Sequence, residues 1–343
     1  MTELALFSNL VDLASAALGG RAVCATDDFF AGVERLVEPA EPEFDPQRYT
    51  ERGKWMDGWE SRRKRGSGHD HAVLELGTAG TVFGFDIDTR HFIGNHPPFA
   101  SIEGARAPSG ASADEVAAFD WRPLLSEVPL RPGTRNVFGA LSQAAVNYVR
   151  LRIFPDGGVA RLRVFGEVEP LAAPPEHDEE SVQHVPAELV DLAALKTGAK
   201  VLACSDARFG AMNQLILPGR ARTMGEGWET RRGRPPDHRH DWLILKLAAR
   251  GTPVVVEVDT NHYRGNFPER CALEGLDAPS RNVTELFTSD AWREFLPATP
   301  LRASSRHFFA RELTALPPIT HVRLDIFPDG GVSRLRIWGK PNG

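Results

Sequence analysis

Residues 149–166 read VRLRIFPDGGVARLRVFG, and residues 322–339 read VRLDIFPDGGVSRLRIWG. The two stretches are identical at 14 of 18 positions. Each has a strand-like run on either side of a Pro-Asp-Gly-Gly turn, in which proline presets the turn and glycine supplies a positive φ. The pattern predicts a β-hairpin with strands at 150–154 and 159–165. Its recurrence predicts that the chain contains the same domain twice.

Other segments recur along the chain in the same order. Residues 10–14 (LVDLA) return at 189–193, residues 58–63 (GWESRR) return at 227–232 as GWETRR, and the loop at 88–97 returns at 259–268. The separation drifts only between 169 and 179 residues, mostly through an insertion between Phe30 and Gly58 in the first copy. We therefore predict a tandem duplication with domains at 1–168 and 187–343. An acidic, proline-rich linker is expected at 169–186.

Each copy is predicted to open with one helix and to continue as strands. Apolar residues stand at helical spacing between Phe7 and Leu18, and a second helix is expected from Pro186 to Gly198. Residues 82–88 then alternate between apolar and polar side chains, as do residues 254–259. The fold predicted is all-β, with two tandem jelly-roll β-sandwich domains, each with a short leading helix.

Composition and charge exclude several classes of protein. The 343 residues include 40 Lys and Arg against 46 Asp and Glu, a net charge of −6 that gives no basic face for nucleic acid. No apolar run has the length that would span a membrane. Three cysteines make a disulfide framework improbable, and the first twenty residues lack the basic leader of a secretory signal. We expect a cytoplasmic protein that binds neither nucleic acid nor a membrane.

A polar loop follows the alternating strand in both copies. In the first copy it carries Asp88, His91 and Asn95, with Gly94 fixing the turn, and in the second copy it carries Asp259, His262 and Asn266. A carboxylate, an imidazole and an amide on one loop can orient a nucleophile or hold a ureido group. The alternative is a turn that satisfies its own hydrogen bonds, with Asp accepting from backbone N–H groups.

The Gly-Trp-Glu-Ser/Thr-Arg-Arg motif supplies a second set of candidates. Its members are Glu60, Arg62 and Arg63 in the first copy and Glu229, Arg231 and Arg232 in the second. Successive side chains on a strand point apart, so one arginine can bind a ligand carboxylate while the other faces solvent or an acid. The alternative is an ion-pair cluster at the surface. Trp59 and Trp228 are predicted to lie in the core.

Histidine pairs at 69/71 and 238/240 have the spacing of metal ligands on a strand. Only His69 and His240 are shared between the copies, because His71 aligns with Trp242. A metal site built on His71 would therefore exist in one copy. No cofactor is predicted firmly, and a divalent metal such as manganese is the weaker alternative.

The motifs taken together resemble the allantoicase family. The resemblance rests on GWESRRKR followed by Gly68-His69-Asp70, on DIDTRHFIGN at 86–95, and on LGG with ATDDFF at 18–30. It covers nearly the whole chain and both repeats. It implies a galactose-binding-like jelly roll in each repeat. It also implies the conversion of allantoate and water to (S)-ureidoglycolate and urea in purine degradation, and a homo-oligomer is expected.

Under this resemblance each candidate takes a role. One arginine of each Arg-Arg pair would hold the substrate carboxylate, with Glu60 or Glu229 orienting it. Asp88 with His91, and Asp259 with His262, would be acid and base. Asn95 and Asn266 would bind the ureido group, and His69 and His240 are second-choice acid or base residues. Two alternatives stay open: a non-catalytic tandem module that binds carbohydrate or another small molecule, and a metal-dependent hydrolase of another ureido acid.

Overall fold

The computed structural model describes residues 7, 9–170, 177–233, 240–279 and 282–342. The chain divides into two compact units, Met1–Glu169 and Pro170–Gly343. Each unit consists mainly of strands, and the strands of the second unit follow the order of those in the first except for β3 (Tyr49–Thr50) and β4 (Gly53–Lys54). The predicted all-β fold in two domains is therefore confirmed. The predicted bounds of the domains and of the linker stay a prediction, and residues 171–176 of that linker lie outside the described residues.

The first repeat contains strands, a short α-helix and two 3₁₀ turns. Its strands are β1 (Val11–Asp12), β2 (Arg21–Ala25), β3 (Tyr49–Thr50), β4 (Gly53–Lys54), β5 (Trp59–Glu60), β6 (Asp70–Asp88), β7 (Phe99–Ala105), β8 (Arg122–Pro129), β9 (Arg135–Gly139), β10 (Ala145–Phe154), β11 (Gly158–Val159) and β12 (Arg161–Val168). The helix α1 is Ala113–Val116, and the 3₁₀ turns are Ala16–Leu18 and Val33–Val37.

The second repeat has the corresponding elements except β3 and β4, which belong to the insertion. Its strands are β13 (Val190–Asp191), β14 (Lys200–Cys204), β15 (Trp228–Glu229), β16 (Asp241–Asp259), β17 (Arg270–Leu276), β18 (Arg293–Pro300), β19 (Arg306–Phe309), β20 (Ile319–Phe327), β21 (Gly331–Val332) and β22 (Arg334–Pro341). The helix α2 is Val283–Phe287. The 3₁₀ turns are Ser181–Gln183, Leu195–Thr197, Met212–Ile216 and Met224–Glu226.

One long strand organises each repeat. The first half of β6 pairs with β10 on one side and β2 on the other, and its second half pairs with β12 and β9. The 19-residue strand thus runs through both faces of the sandwich. The strand β16 does the same with β20, β14, β22 and β19. The register shifts midway along both strands, where bulges bend the sheet.

The predicted hairpin at 150–165 is wrong in its pairing, although both of its strands exist. The strands β10 and β12 lie on opposite sides of β6 in the order β1-β12-β6-β10-β7-β8. Between them, β11 pairs with β5 in a separate two-stranded sheet. The Pro-Asp-Gly-Gly turn therefore starts a connection from the first residue of β6, beside which β10 ends, to its last residue, beside which β12 begins. The strand β11 in this connection pairs with Trp59 and Glu60 of the Gly-Trp-Glu motif.

The predicted leading helices are present only as short 3₁₀ turns. The structure places β1 and the turn Ala16–Leu18 where the first helix was expected, and β13 and the turn Leu195–Thr197 where the second was expected. Each turn ends at a left-handed glycine, Gly19 or Gly198. The β1 and β13 segments pair instead with the closing strands β12 and β22. Apolar residues at helical spacing here face the sandwich core from an extended chain.

The core of each repeat lies between the faces of its sandwich. Trp59 and Trp228 are fully buried, which confirms the prediction for both. Phe85, Ile87 and Leu151 are buried beside the first, and Val256, Val258 and Leu324 are their counterparts in the second. None of the helices in the described residues has the length and apolar character to cross a bilayer.

Candidate functional site

The Gly-Trp-Glu-Ser/Thr-Arg-Arg motif is held by an aspartate that follows β2 or β14, Asp27 in the first repeat and Asp206 in the second. Trp59 donates its Nε1–H to the backbone oxygen of Asp27 at 2.8 Å, and Arg62 donates from its backbone N and its Nε to the Asp27 carboxylate at 2.9 and 2.7 Å. Burial acts to raise the pKa of Asp27, but these hydrogen bonds and the Arg62 charge bring it below its ordinary value. The carboxylate is therefore ionised and holds the loop after β5.

The second repeat repeats this anchor atom for atom. Trp228 donates to the backbone oxygen of Asp206 at 2.8 Å, and Arg231 donates from its backbone N and Nε to the Asp206 carboxylate at 3.0 and 2.8 Å. Arg62 and Arg231 thus hold the loop in place. Their neighbours Arg63 and Arg232 are exposed and form no ion pair with any described residue.

A carboxylate and an amide meet at the centre of each candidate site. Asn95 donates from Nδ2 to Glu60 Oε1 at 2.7 Å, and Asn266 donates to Glu229 Oε1 at 2.6 Å. Burial raises the pKa of Glu60 above its ordinary value, which the bond from Asn95 only partly offsets. Of the predicted substrate-binding residues, the glutamate of one motif and the asparagine of the other are therefore brought together, although they come from different loops.

His91 and His262 have the same unusual backbone. Both have φ of 71°, a left-handed conformation that a residue with a Cβ seldom adopts. His91 donates from Nε2 to the Pro42 carbonyl oxygen at 3.1 Å, and His262 donates to the Ala221 carbonyl oxygen at 3.0 Å. Because a carbonyl oxygen only accepts, Nε2 carries the hydrogen. Nδ1 is then the basic nitrogen of the neutral ring.

The carboxylates of Asp88 and Asp259 bond arginines and not His91 or His262, and their predicted roles as acid or base stay a prediction. Both Asp88 oxygens accept from Arg90, and Asp259 accepts from Arg220 at 2.8 Å. Both carboxylates are about 1% exposed. Asp88 also accepts the Arg90 backbone N–H at 2.9 Å, and Asp259 accepts that of Asn261 at 2.8 Å. Through these bonds they shape the turn that carries the histidine.

In the first repeat these groups line one cleft of about 390 Å³, which we name the first cleft. It contains Glu60, His91 and Asn95 together with Lys54 and Phe44 from the insertion. The His91 ring stacks on Phe44 with centroids 5.5 Å apart, and the Lys54 ammonium lies 4.5 Å from the same ring. One cleft thus holds a carboxyl, an imidazole, an amide and a cation.

The second repeat has a corresponding cleft of about 600 Å³, which we name the second cleft. Glu229, Asn266 and Arg232 line it, with Phe209 at its wall. His262 is not among its lining residues, and no insertion supplies a counterpart of Lys54 or Phe44. The two clefts therefore share their carboxyl–amide pair, and only the first has Lys54 and Phe44 from the insertion.

His69 and His240 lie outside both clefts, in different surroundings. Arg152 donates from Nε to His69 Nε2 at 3.1 Å, whereas His240 Nε2 lies 3.0 Å from the Asp325 carboxylate. Burial, followed by the charge of Arg152, lowers the pKa of His69. The structure does not bring either histidine to the Glu60 or Glu229 groups.

The donor set of the described residues does not fit a bound divalent metal. They contain no group of three or more His, Cys, Asp or Glu side chains placed to hold one. The His69 and His71 rings are 6.0 Å apart, and the Nε2 atom of His69 is already bonded to Arg152. His238 lies outside the described residues. We therefore assign no step of the reaction to a metal.

Sequence reasoning missed Lys54 and Phe44. Both lie in the insertion, which has no counterpart in the second copy, so comparing the copies drew no attention to it. A signal was nevertheless present, because the insertion brings exposed aromatic and basic residues next to the Gly-Trp-Glu motif.

The comparisons with known proteins agree with one another. The family model described as "Allantoicase repeat" matches residues 11–169 and 190–342. The protein named "Probable allantoicase" from Pseudomonas aeruginosa (strain LESB58) is 44% identical over 340 residues, covering 99% of this chain and 98% of that protein. Its namesake from Rhizobium meliloti (strain 1021) is 45% identical over 335 residues, covering 96% and 94%.

Two solved structures match the fold over nearly its full length. The crystal structure of allantoicase from Saccharomyces cerevisiae superposes with a TM-score of 0.79 at 31% identity, covering 99% of this chain and 98% of that chain. A second structure, titled "Structure of allantoicase", gives a TM-score of 0.76 at 32% identity, covering 97% and 94%.

Proposed function

The chain belongs to the allantoicase family, and from this premise we propose which of its groups carry the reaction. The reaction is the hydrolysis of allantoate, a small molecule, to (S)-ureidoglycolate and urea in purine degradation. The net change breaks one C–N bond at the central carbon, where a hydroxyl replaces a ureido group. The site must therefore hold the carboxylate, protonate the departing ureido group and activate water.

We assign this chemistry to the first cleft. The observation that carries the assignment is that Lys54, Glu60, His91 and Asn95 all line it. Lys54 binds the substrate carboxylate. The raised pKa of Glu60 keeps its carboxyl protonated to higher pH, so it donates a proton to the leaving ureido group. Asn95 bonds to Oε1, which leaves Oε2 to carry that proton.

His91 supplies the base in this assignment. Its Nε2–H is held by the Pro42 carbonyl, so Nδ1 is the nitrogen that accepts the proton of the attacking water. Asn95 Oδ1 has no partner among the described residues and accepts an N–H of the ureido group. The Asp27–Arg62 anchor and Asp88 position the two loops that carry these groups.

In this proposal the second cleft hydrolyses a smaller fraction of the substrate than the first. Glu229 and Asn266 have the roles of Glu60 and Asn95, and Arg232 binds the carboxylate. His262 keeps a free Nδ1 but does not line the cleft. The second repeat has no counterpart of Lys54 and Phe44 from the insertion, so we expect slower hydrolysis there than in the first cleft.

Urea release from allantoate by two matched variants tests the assignment of the base. We expect His91→Ala to lower kcat by about 100-fold or more, the usual contribution of a general base. His262→Ala should stay within about threefold of the parent, a change of under ~0.7 kcal/mol in the barrier. Equal losses in both variants, or no loss in His91→Ala, would contradict it.

The wider setting of the enzyme is also proposed. Cys24, Cys204 and Cys271 are all free thiols, which supports a reducing, cytoplasmic location. The net charge of −6 supports the absence of a nucleic-acid partner. A homo-oligomer stays a prediction, and light scattering of the purified chain measures it directly.

A further inference from the structure

A cavity of about 440 Å³ in the second repeat shares no lining residue with the second cleft. Its walls come from the end of β16, from β22 and from the 3₁₀ turn Leu195–Thr197. Asp178 and Ser181, which precede β13, line it from another side. We name it the Lys196 cavity after the lysine on its wall.

The charges on the walls of this cavity are unevenly distributed, because Arg306 alone contacts three carboxylates. Five basic side chains line it against four carboxylates. Each of the four carboxylates is already paired with an arginine. The pairs are Asp178–Arg306 at 3.1 Å, Glu257–Arg306 at 2.7 Å, Asp259–Arg220 at 2.8 Å and Asp191–Arg336 at 3.6 Å. Arg306 also contacts Glu180, which lies outside the lining, at 3.1 Å.

Two cations are left without a carboxylate. Lys196 is half-buried and forms no ion pair or hydrogen bond with any described residue. Arg334 is 2% exposed and bonds only backbone carbonyls, among them those of Gly219 and Glu226. Burial, and then the neighbouring Arg336, lowers the pKa of Arg334 to about 10. Burial lowers the pKa of Lys196 as well. An anion placed here would stabilise both charges.

The first repeat lacks this arrangement at the equivalent positions. Ala17 stands where the second repeat has Lys196, and Glu41 stands where it has Arg220. Glu41 contacts Arg90, so the acid on that wall is already neutralised. The Phe7 ring stacks on Phe165 there, with centroids 5.3 Å apart. The unpaired lysine is therefore a property of the second repeat and not a requirement of the fold.

We propose that the Lys196 cavity binds a small organic carboxylate that also carries N–H donors. Lys196 takes the carboxylate of the ligand. On the Ser181 side, Asp178 Oδ1 accepts from the Ser181 backbone at 2.7 Å, whereas its Oδ2 has no partner among the described residues and accepts an N–H of the ligand. The Trp338 ring forms part of the wall. Glu229, Asn266 and Arg232 do not line this site, whereas Asp259, which shapes the turn carrying His262, does.

The test uses hydantoate (N-carbamoylglycine), which carries one carboxylate and a ureido group. It is titrated into the full-length Asn95→Ala/Asn266→Ala variant, in which binding to both clefts is weakened, and tryptophan fluorescence is followed. We expect a saturable signal that Trp338→Phe removes, because Phe is the residue at the equivalent position 165. Lys196→Ala and Lys196→Met should each raise the Kd by at least about tenfold.

Two controls test whether the variants fold and whether the N–H donors of the ligand matter. Alanine is the residue of the first repeat at the equivalent position 17, so Lys196→Ala should fold, and circular dichroism checks this. Inorganic phosphate, which has charge but no N–H donor that matches Asp178, should bind more weakly than hydantoate. An unchanged Kd in both folded Lys196 variants, or phosphate binding as tight as hydantoate, would overturn the proposal.

Discussion

Glu60 and Asn95 form one hydrogen bond that joins two loops and sets the chemistry of the first cleft. The bond leaves one oxygen of Glu60 free, and burial raises the pKa of that carboxyl. The partner Asn95 keeps its own Oδ1 for a ligand. At the scale of single residues, the cleft thus combines a carboxyl whose pKa is raised with an amide oxygen that is left for a ligand.

The raised pKa of Glu60 has a direct consequence for the pH profile. A group whose pKa is raised keeps its proton to higher pH, and activity that needs the protonated form is lost as pH rises through that pKa. Glu60→Gln should therefore lower kcat by about 100-fold or more and remove this alkaline limb. The pH dependence of urea release measures it. Glu229→Gln is the matched control, and loss of the limb in that variant instead would contradict the assignment.

Lys54 is expected to act on substrate binding rather than on the chemical step. Lys54→Met removes the cation that meets the substrate carboxylate, so KM should rise about tenfold while kcat changes less. Arg48→Met is the control, because Arg48 belongs to the same insertion but lies over Trp55, outside the first cleft. Measuring kcat and KM for both variants tests this prediction. A fall in kcat alone for Lys54→Met would contradict a binding role.

The loops of each repeat are held to the ends of long strands by close backbone approach. The short strand β11 passes over Phe92, so a Cβ on Gly158 would stand 2.0 Å from that ring. In the second repeat a Cβ on Gly331 would stand 2.1 Å from Tyr263. These glycines allow β11 and β21 to pair with β5 and β15, the strands that carry Glu60 and Glu229.

Gly158→Ala should destabilise the protein by about 1–3 kcal/mol through this overlap. The fully buried Phe92 ring has little room to move. Gly139→Ala is the matched control, because a Cβ there meets nothing within 4 Å, and its effect should stay within about 0.5 kcal/mol. Thermal unfolding compares the two variants. Equal stability in both would show that the approach of β11 to Phe92 is not needed.

The elements explain where prediction from the sequence failed. The Pro-Asp-Gly-Gly turn has good hairpin chemistry, but β6 is long enough to pair with both flanking strands and lies between them. Likewise the apolar spacing from Phe7 to Leu18 suits a helix, yet β1 gains its hydrogen bonds from β12. In both cases pairing across the sheet outweighs a local preference, which a single segment does not reveal.

For the molecule as a whole, duplication made much of the fold and part of the site predictable. Segments kept in both copies predicted the two all-β repeats, and they identified Glu60 and Asn95 as members of one site before their contact was known. Comparing the two copies gives no information about residues that only one copy has. It gave no indication of Lys54, nor of the bond by which Arg90 holds Asp88.

The differences between the copies support the proposal that the first repeat performs most of the hydrolysis. Its cleft is lined by His91, Lys54 and Phe44, whereas the second cleft is lined by Arg232 and has no counterpart of the insertion residues. The second repeat has instead the unpaired Lys196 and its cavity. After duplication the two copies have kept one architecture and diverged in the charges that line their cavities.

The most direct test is urea release from allantoate by two double variants of the full chain. Glu60→Gln/Asn95→Ala disables the first cleft, and Glu229→Gln/Asn266→Ala disables the second, with the same chemical change in each. We predict a loss of about 1000-fold in kcat/KM for the first variant and at least half of the parent activity in the second. Equal losses, or the larger loss in the second variant, would contradict the account.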